Sequence, residues 1–185
     1  YDPGVPATLG EYPRRTLLDY IDDGLRERPD HPALLFKGRA MSLRELDQES
    51  TVFANGLAAL GVTRGDRVAA MLPNSPQFFI AELGAWKLGA ILVPLNPIYN
   101  EEELVGPLTD TAPKVVVTLT PFYAHVKAVQ ERAGVKHVIA TGIKEYFPVL
   151  LRTVFTLFAE KRLGHRITLQ PGDIWLQDLL AAHRN

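Results

Sequence analysis

Cysteine is absent from this sequence of 185 residues, and serine occurs only three times. The lack of cysteine excludes disulfide bonds, thiolate metal sites and a cysteine nucleophile within these residues, and it is typical of proteins from a reducing compartment. None of the serines lies in a G-x-S-x-G motif, so that hydrolase signature is missing as well. No apolar run reaches the roughly 18 residues that indicate a membrane-spanning helix.

An excess of charge of either sign is also missing. Lysine and arginine together number 20 and aspartate and glutamate 21, which gives a net charge of −1. A chain so close to neutral lacks the general positive field that draws proteins to nucleic acid, so we expect no nucleic-acid partner. The five histidines lack the i, i+3 or i+4 spacing of ligands on one helix, and no metal site is predicted.

Four short apolar runs recur at nearly equal spacing in the middle of the chain. They begin at residues 68, 91, 115 and 138, which are 23, 24 and 23 residues apart, and helical patterns lie between them. Continuous apolar runs are typical of strands buried on both faces, and such helices are typical of right-handed crossovers. Residues 1–142 are therefore predicted to form an α/β fold, a parallel sheet of consecutive βα units with flanking helices.

Capping residues mark where the helices begin. Thr16 and Ser42 each start a capping-box pattern with an acid three residues later, and Asn100 precedes three glutamates. Ser75 stands directly before Pro76, a residue that suits the first turn of a helix because it lacks a backbone N–H. We expect all four polar side chains to cap helices.

Residues 143–185 break the rhythm and are predicted to form an amphipathic helical extension of the same domain. Six apolar side chains follow i, i+3 and i+4 spacing, which is typical of one helix face, and basic residues cluster after them. Two interpretations stay open: the face packs against the rest of the protein, or it meets a membrane, a hydrophobic substrate or a partner protein. The six residues are Phe147, Leu150, Leu151, Val154, Phe155 and Phe158.

Glycine-rich phosphate loops are missing too. The sequence has neither G-x-G-x-x-G after a strand nor G-x-x-x-x-G-K-[ST], the loops with which α/β proteins hold phosphate groups. Ser42 and Ser75 are explained as helix caps, and the acids from Glu101 to Glu103 as the favoured charge at a helix start. We therefore predict no catalytic residue, no cofactor-binding residue and no metal ligand in this chain.

A family resemblance comes from motifs that occur together and in order. They include the stretch from Gly61 to Ala69, the string Leu72-Pro73-Asn74-Ser75-Pro76 and the string Pro94-Leu95-Asn96-Pro97. Over most of residues 14–142 the sequence resembles the N-terminal region of adenylate-forming acyl-CoA synthetases. The segment from Glu145 to Leu180 is similar to an extra stretch of bacterial medium- and long-chain fatty acid CoA ligases.

The resemblance implies a two-step reaction for the full-length protein. A fatty acid carboxylate attacks the α-phosphate of ATP to give an acyl-adenylate and pyrophosphate, and the thiol of CoA then displaces AMP to form the thioester. ATP, Mg²⁺ and CoA are the implied cofactors, and a fatty acid is the implied substrate. The family's Thr/Ser/Gly-rich ATP loop and its late catalytic lysine are absent here, so we interpret the chain as an N-terminal fragment that is inactive alone and binds none of these cofactors.

Two alternatives to this interpretation stay open. One is a non-catalytic scaffold or interaction module with the same fold, and the other is a ligase for aryl acids instead of fatty acids. A homodimer is a further expectation. So is a cytoplasmic location, peripheral at the inner face of the membrane.

Overall fold

The computed structural model describes residues 2–6, 8 and 10–184, which form a five-stranded sheet, a two-stranded hairpin and the helices around them. The helices are α1 Leu17–Glu27, α2 Leu43–Ala59, α3 Pro76–Lys87, α4 Glu101–Thr111, α5 Tyr123–Gln130, α6 Val149–Val154 and α7 Leu176–Ala182. The strands are β1 Pro32–Phe36, β2 Arg39–Ser42, β3 Arg67–Met71, β4 Ile91–Pro94, β5 Val115–Leu119, β6 His137–Thr141 and β7 Ile174–Trp175. Short 3-10 turns cover Thr120–Phe122 and Ile143–Tyr146, and a π-helical turn covers Phe155–Ala159.

The large sheet has the strand order β4-β3-β5-β6-β7, and all neighbouring strands run parallel. In its centre, Ala69 pairs with Val116 of β5, which in turn pairs with Val138 of β6. The predicted parallel α/β sheet is confirmed. β7 was missed in the sequence, because a two-residue strand is too short to show an apolar run.

Helices cover both faces of the sheet because the chain changes direction once. From β3 it moves to β4 on one side, and from β4 it crosses to β5 on the other side of β3. Right-handed crossovers in opposite directions place α3 and α4 on opposite faces. Accordingly α2, α3 and α7 pack with Val68 and Ile139, whereas α4 and α5 pack with Ala69 and Val138.

Helices α2 and α3 approach each other closely at Gly84 of α3. A Cβ atom at Gly84 would lie 2.7 Å from Phe53 Cδ1 and 2.8 Å from the carbonyl oxygen of Ser50. Such contacts are too short, so the crossing depends on the missing side chain. The α3 backbone is thereby pressed against α2, which sets the position of the α3 N-terminus at the sheet edge.

Three of the four predicted helix caps are confirmed. Thr16, Ser42 and Asn100 each accept a hydrogen bond from the backbone N–H three residues later, at 3.2, 3.1 and 3.1 Å. Ser75 does occupy the N-cap position of α3, but its hydroxyl makes no capping hydrogen bond. The expected cap is wrong there because the Phe78 N–H bonds to the Ser75 carbonyl oxygen at 3.0 Å instead.

Residues 167–173 bring the chain back to the sheet, and Tyr123 holds them. The Tyr123 hydroxyl donates to the Asp173 carboxylate and accepts from the Gln170 backbone N–H at 2.8 Å. Burial, followed by the hydrogen bond to Asp173, raises the pKa of Tyr123 to about 12. Lys127 also lies 2.9 Å from the Asp173 carboxylate, so α5 fixes the turn from which β7 starts. The division of the chain at residues 142 and 143 stays a prediction.

Candidate functional site

The carboxyl edge of the sheet contains the point where the strand order reverses, between β3 and β5. In open α/β sheets, this crevice at the carboxyl ends of the strands is where ligands bind. Buried polar side chains gather along this edge. Among the described residues, all buried polar side chains except Ser50 lie at it, namely Ser75, Gln77, Thr118, Thr120 and Thr141.

Two of these polar groups are left without partners by the described residues. The side-chain amide of Gln77 donates to the carbonyl oxygen of Gly142 at 2.9 Å and so links the start of α3 to the end of β6. Its Oε1 atom and the Ser75 hydroxyl are buried and have no hydrogen-bond partner within the described part of the chain. Buried polar atoms are nearly always paired, so the reversal point carries unused hydrogen-bonding capacity.

A polar pocket of about 200 Å³ lies farther along the same edge, beside the ends of β5 and β6. Lys144 Nζ lies 2.6 Å from Glu160 Oε1 and 3.2 Å from Thr156 Oγ1, and Arg166 lies 3.8 Å from the same carboxylate. Glu145 also lines the pocket, so two cations face two carboxylates there. Its walls include Thr120, Gly142, Lys144, Glu160, His165 and Trp175.

His165 joins this pocket to the segment that precedes it. Its Nδ1 atom shares a hydrogen bond of 2.9 Å with Thr120 Oγ1, and its ring meets Phe155 edge-on at 5.2 Å. Burial lowers the pKa of His165 below its ordinary value, Glu160 opposes this effect, and Lys144 adds to it. The lowered pKa favours the neutral imidazole, which contacts two elements of the fold.

The residues described at this edge do not fit ATP or Mg²⁺. The segments after β3, β5 and β6 begin Leu72-Pro73, Thr120-Pro121 and Gly142-Ile143, and none is a glycine-rich loop of the kind that holds phosphates. Within residues 2–6, 8 and 10–184, no group of three or more Asp, Glu or His side chains could hold a metal ion.

Residues 143–166 form a helical excursion from the sheet, and the structure divides the six predicted apolar residues between two sides of it. Leu150, Leu151, Val154 and Phe158 are exposed, and Phe158 has 76% of its surface accessible. Phe147 precedes α6, is only 9% exposed and packs on Phe36. The ring of the half-buried Phe155 lies against Phe147 at 5.5 Å. The expectation of one continuous stripe is therefore wrong for the two inward phenylalanines.

A π-helical turn follows α6 within this excursion. The Glu160 N–H donates to the carbonyl oxygen of Phe155 at 2.8 Å, a bond that spans five residues where an α-helix spans four. Around this turn Phe155, Ala159 and Glu160 are half-buried, whereas Leu157 is exposed, with 70% of its surface accessible. Sequence reasoning missed Leu157, although it lies seven residues after Leu150, a spacing that an α-helical period places on the same helix side.

Basic side chains adjoin the exposed apolar residues. Lys161 and Arg162 are exposed and form no ion pair within the described residues. Arg152 is paired with Glu145 at 2.7 Å. No helix of the described chain is long and apolar enough to cross a bilayer.

Comparisons with known proteins place this fold in a family. The model of the AMP-binding enzyme family matches residues 21–159. A long-chain-fatty-acid–CoA ligase of Haemophilus influenzae is 32% identical over 179 residues, which cover 92% of this chain and 32% of the relative. A 4-coumarate–CoA ligase 5 of Oryza sativa subsp. japonica is 35% identical over 128 residues, which cover 68% of this chain and 23% of the relative.

A solved structure shows the same fold. The anthranilate CoA ligase AuaEII, in complex with anthranoyl-AMP, superimposes with a TM-score of 0.72 over 90% of this chain and 28% of that protein, at 20% identity. The present chain thus spans only 32% and 23% of the lengths of the Haemophilus and Oryza relatives. By its matching residues, the chain belongs to the AMP-binding enzyme family.

Proposed function

We propose that the complete protein carrying this chain is an ATP-dependent fatty acid–CoA ligase. The observation that carries the proposal is the 32% identity, over 92% of the chain, to a relative named long-chain-fatty-acid–CoA ligase. The match extends through the helical excursion to most of the chain, so it does not depend on the common sheet alone.

The proposed reaction has two steps. The carboxylate of the fatty acid attacks the α-phosphate of ATP, which gives an acyl-adenylate and releases pyrophosphate. The thiol of CoA then attacks the acyl carbon, loses its proton and displaces AMP, which leaves the thioester. Mg²⁺ and basic donors stabilise the charge on the phosphates in the first step.

Within such an enzyme this chain has a supporting role. It supplies a rigid sheet whose carboxyl edge carries the partnerless Ser75 hydroxyl and Gln77 oxygen, while ATP, Mg²⁺ and CoA are held by other parts of the protein. The 185 residues alone are accordingly proposed to be inactive. This follows from the lack of a phosphate loop and of a metal-binding acidic group in the described residues.

Pyrophosphate release tests the proposal. With ATP and palmitate, we expect the complete protein to release pyrophosphate and, when CoA is added, to consume its free thiol. We expect neither event with the 185-residue chain alone. Release by the chain alone would contradict its supporting role. Absence of both events with a folded complete protein would contradict the ligase and favour a non-catalytic interaction module.

A ligase for aryl acids is the second candidate, favoured by the 35% identity to a relative named 4-coumarate–CoA ligase 5. The two candidates differ in the acid that is activated. Values of kcat/KM for palmitate and for 4-coumarate, measured side by side on the complete protein, separate them. Preference for the aryl acid would replace the fatty acid proposal.

A further inference from the structure

The helical excursion exposes a group of large apolar side chains on one side. Leu150, Val154, Leu157 and Phe158 follow the i, i+4, i+7, i+8 spacing of one helix side, and all four are exposed. Contiguous apolar patches of this kind are uncommon on monomeric proteins and mark surfaces that meet something. The neighbouring exposed apolar residues are Val149, Leu151 and Leu163.

The solvent-exposed, unpaired charges beside these apolar residues are positive. Lys161 and Arg162 follow Glu160 at the end of the π-helical turn, and both side chains are exposed without an ion pair among the described residues. The nearby acids are turned inward and neutralised, Glu160 by Lys144 at 2.6 Å and Glu145 by Arg152 at 2.7 Å. Apolar side chains flanked by unpaired cations are complementary to the acyl chains and anionic headgroups of a lipid surface.

We propose that this lipid face, formed by Leu150, Val154, Leu157, Phe158, Lys161 and Arg162, docks on an anionic membrane. The helix lies along the surface, with its apolar side chains among the acyl chains and its two cations at lipid phosphates. The proposal goes beyond the ligase reaction, which does not require membrane contact. A lipid surface, as opposed to a protein, is indicated because cations follow the apolar side and acids are withdrawn from it.

The attachment of the helix to the sheet makes it a fixed docking element. Phe155 is held between Phe147 and His165, at 5.5 and 5.2 Å, and the Lys144–Glu160 ion pair joins the excursion to the turn after β6. The side opposite to the lipid face is therefore already in use. Docking needs no rearrangement of the sheet.

Binding of the complete protein to vesicles tests the apolar part of the lipid face. Vesicles of phosphatidylcholine alone are compared with vesicles that also contain phosphatidylglycerol, and the protein that sediments with them is measured. The double variant Leu157→Ser with Phe158→Ser is expected to bind the anionic vesicles more than about tenfold more weakly. The matched control Leu35→Ser with Ile98→Ser changes two other exposed apolar residues, 81% and 83% accessible, and is expected to bind like the parent.

A second pair of variants tests the charges. Lys161→Gln with Arg162→Gln is expected to weaken binding to anionic vesicles by about fivefold for each charge removed. The matched control Arg132→Gln with Lys136→Gln removes two exposed cations between α5 and β6, at the amino-terminal edge of the sheet, and is expected to have no effect. Equal weakening in this control would overturn the assignment of the charges.

Hydrogen exchange identifies other occupants of the face. We expect amides of residues 149–163 to gain protection, beyond that of the free protein, only when anionic vesicles are added. Lipid-free protection as strong as that of the buried strand β5, or protection that depends on protein concentration, would show that another part of the protein or a second copy covers the face, and would overturn the proposal. Unchanged vesicle binding in the Leu157 and Phe158 variant would also overturn it. Pyrophosphate release is assayed separately, so failure of membrane binding is distinguishable from failure of the ligase proposal.

Discussion

The parallel sheet and the helical excursion are both rich in apolar residues, but they bury them to very different extents. Every residue of β5, from Val115 to Leu119, is buried. By contrast, no residue of α6 or of the π-helical turn after it is fully buried. The difference shows that an apolar pattern in the sequence does not by itself predict whether the side chains are buried.

The two regions are also held by different forces. The sheet is stabilised by parallel backbone pairing and by helices on both faces, so each strand has many neighbours. The excursion is attached through a few contacts, chiefly Phe147, Phe155 and the Lys144–Glu160 ion pair. We therefore expect the sheet to determine global stability and the excursion to open locally with little effect on the rest.

Truncation of an apolar side chain gives the largest expected contrast between the regions. Ile139→Ala removes a fully buried side chain from β6, and we expect the free energy of unfolding to fall by about 2–5 kcal/mol. Leu150→Ala removes an exposed side chain from α6 and is expected to change it by less than about 0.5 kcal/mol. Urea unfolding of both variants measures the difference. A loss of similar size at Leu150 would mean that the excursion belongs to the global folding unit.

The close crossing of α2 and α3 allows a second test of the packing around the sheet, with a smaller expected loss of stability. Gly84→Ala brings a Cβ within 2.8 Å of the Ser50 carbonyl oxygen, so the helices must separate. We expect a loss of about 1–3 kcal/mol in urea unfolding. Gly106→Ala is the matched control, since Gly106 lies in α4 with nothing within 4 Å of the added Cβ. That variant is expected to be more stable by about 0.5–1 kcal/mol because alanine favours the helix.

Much of the sheet could be predicted from the sequence, and the misses have local causes. The apolar runs that begin near residues 68, 91, 115 and 138 became β3 to β6 because they are long enough to show burial on both faces. β7 is too short to show it. The position of Ser75 before Pro76 predicts that its hydroxyl caps α3. Residue order does not predict whether the Phe78 N–H donates to that hydroxyl or, as observed, to the Ser75 carbonyl oxygen.

The candidate site was less predictable than the sheet. Lys144, Glu160 and His165 are separated in sequence by up to about twenty residues, and no motif spacing links them. Glu160 enters the pocket from the end of the π-helical turn, which the i, i+3, i+4 pattern does not reveal. The buried polar residues at the carboxyl edge could have been noticed as polar positions directly after apolar strands, where such sheets bind ligands.

Loosening the excursion should leave the sheet intact. Phe155→Leu removes two aromatic contacts, with Phe147 and His165, worth about 1 kcal/mol. We expect faster hydrogen exchange in residues 155–160 and unchanged exchange in β5. Phe158→Leu, which changes an exposed phenylalanine of the same turn, is the control and should leave exchange unaltered. Faster exchange in β5 as well would mean that the two regions open together.

The smallest expected effect is a pH dependence of the same attachment, through His165. Burial lowers the pKa of this imidazole below its ordinary value of 6.5, so the folded excursion favours the neutral form. The stability that neutral His165 gives to the attached excursion is therefore fully present above pH 6.5. It decreases as the pH falls below that value, because the folded protein is then forced to bind a proton. Lys144 and Arg166 repel that proton and Glu160 attracts it; because the net shift is downward, acid should weaken the attachment.

Hydrogen exchange of residues 155–166 between pH 7 and pH 5, corrected for intrinsic rates, measures this effect. We expect protection to decrease with acid in the parent and to depend less on pH in His165→Gln, because the amide keeps a polar partner for Thr120 without titrating. His31→Gln, at an exposed histidine, should behave like the parent. Equal pH dependence in all three would assign the change to another group. An acid-sensitive excursion beside an acid-insensitive sheet would show that the two regions differ in what holds them as well as in how much they bury.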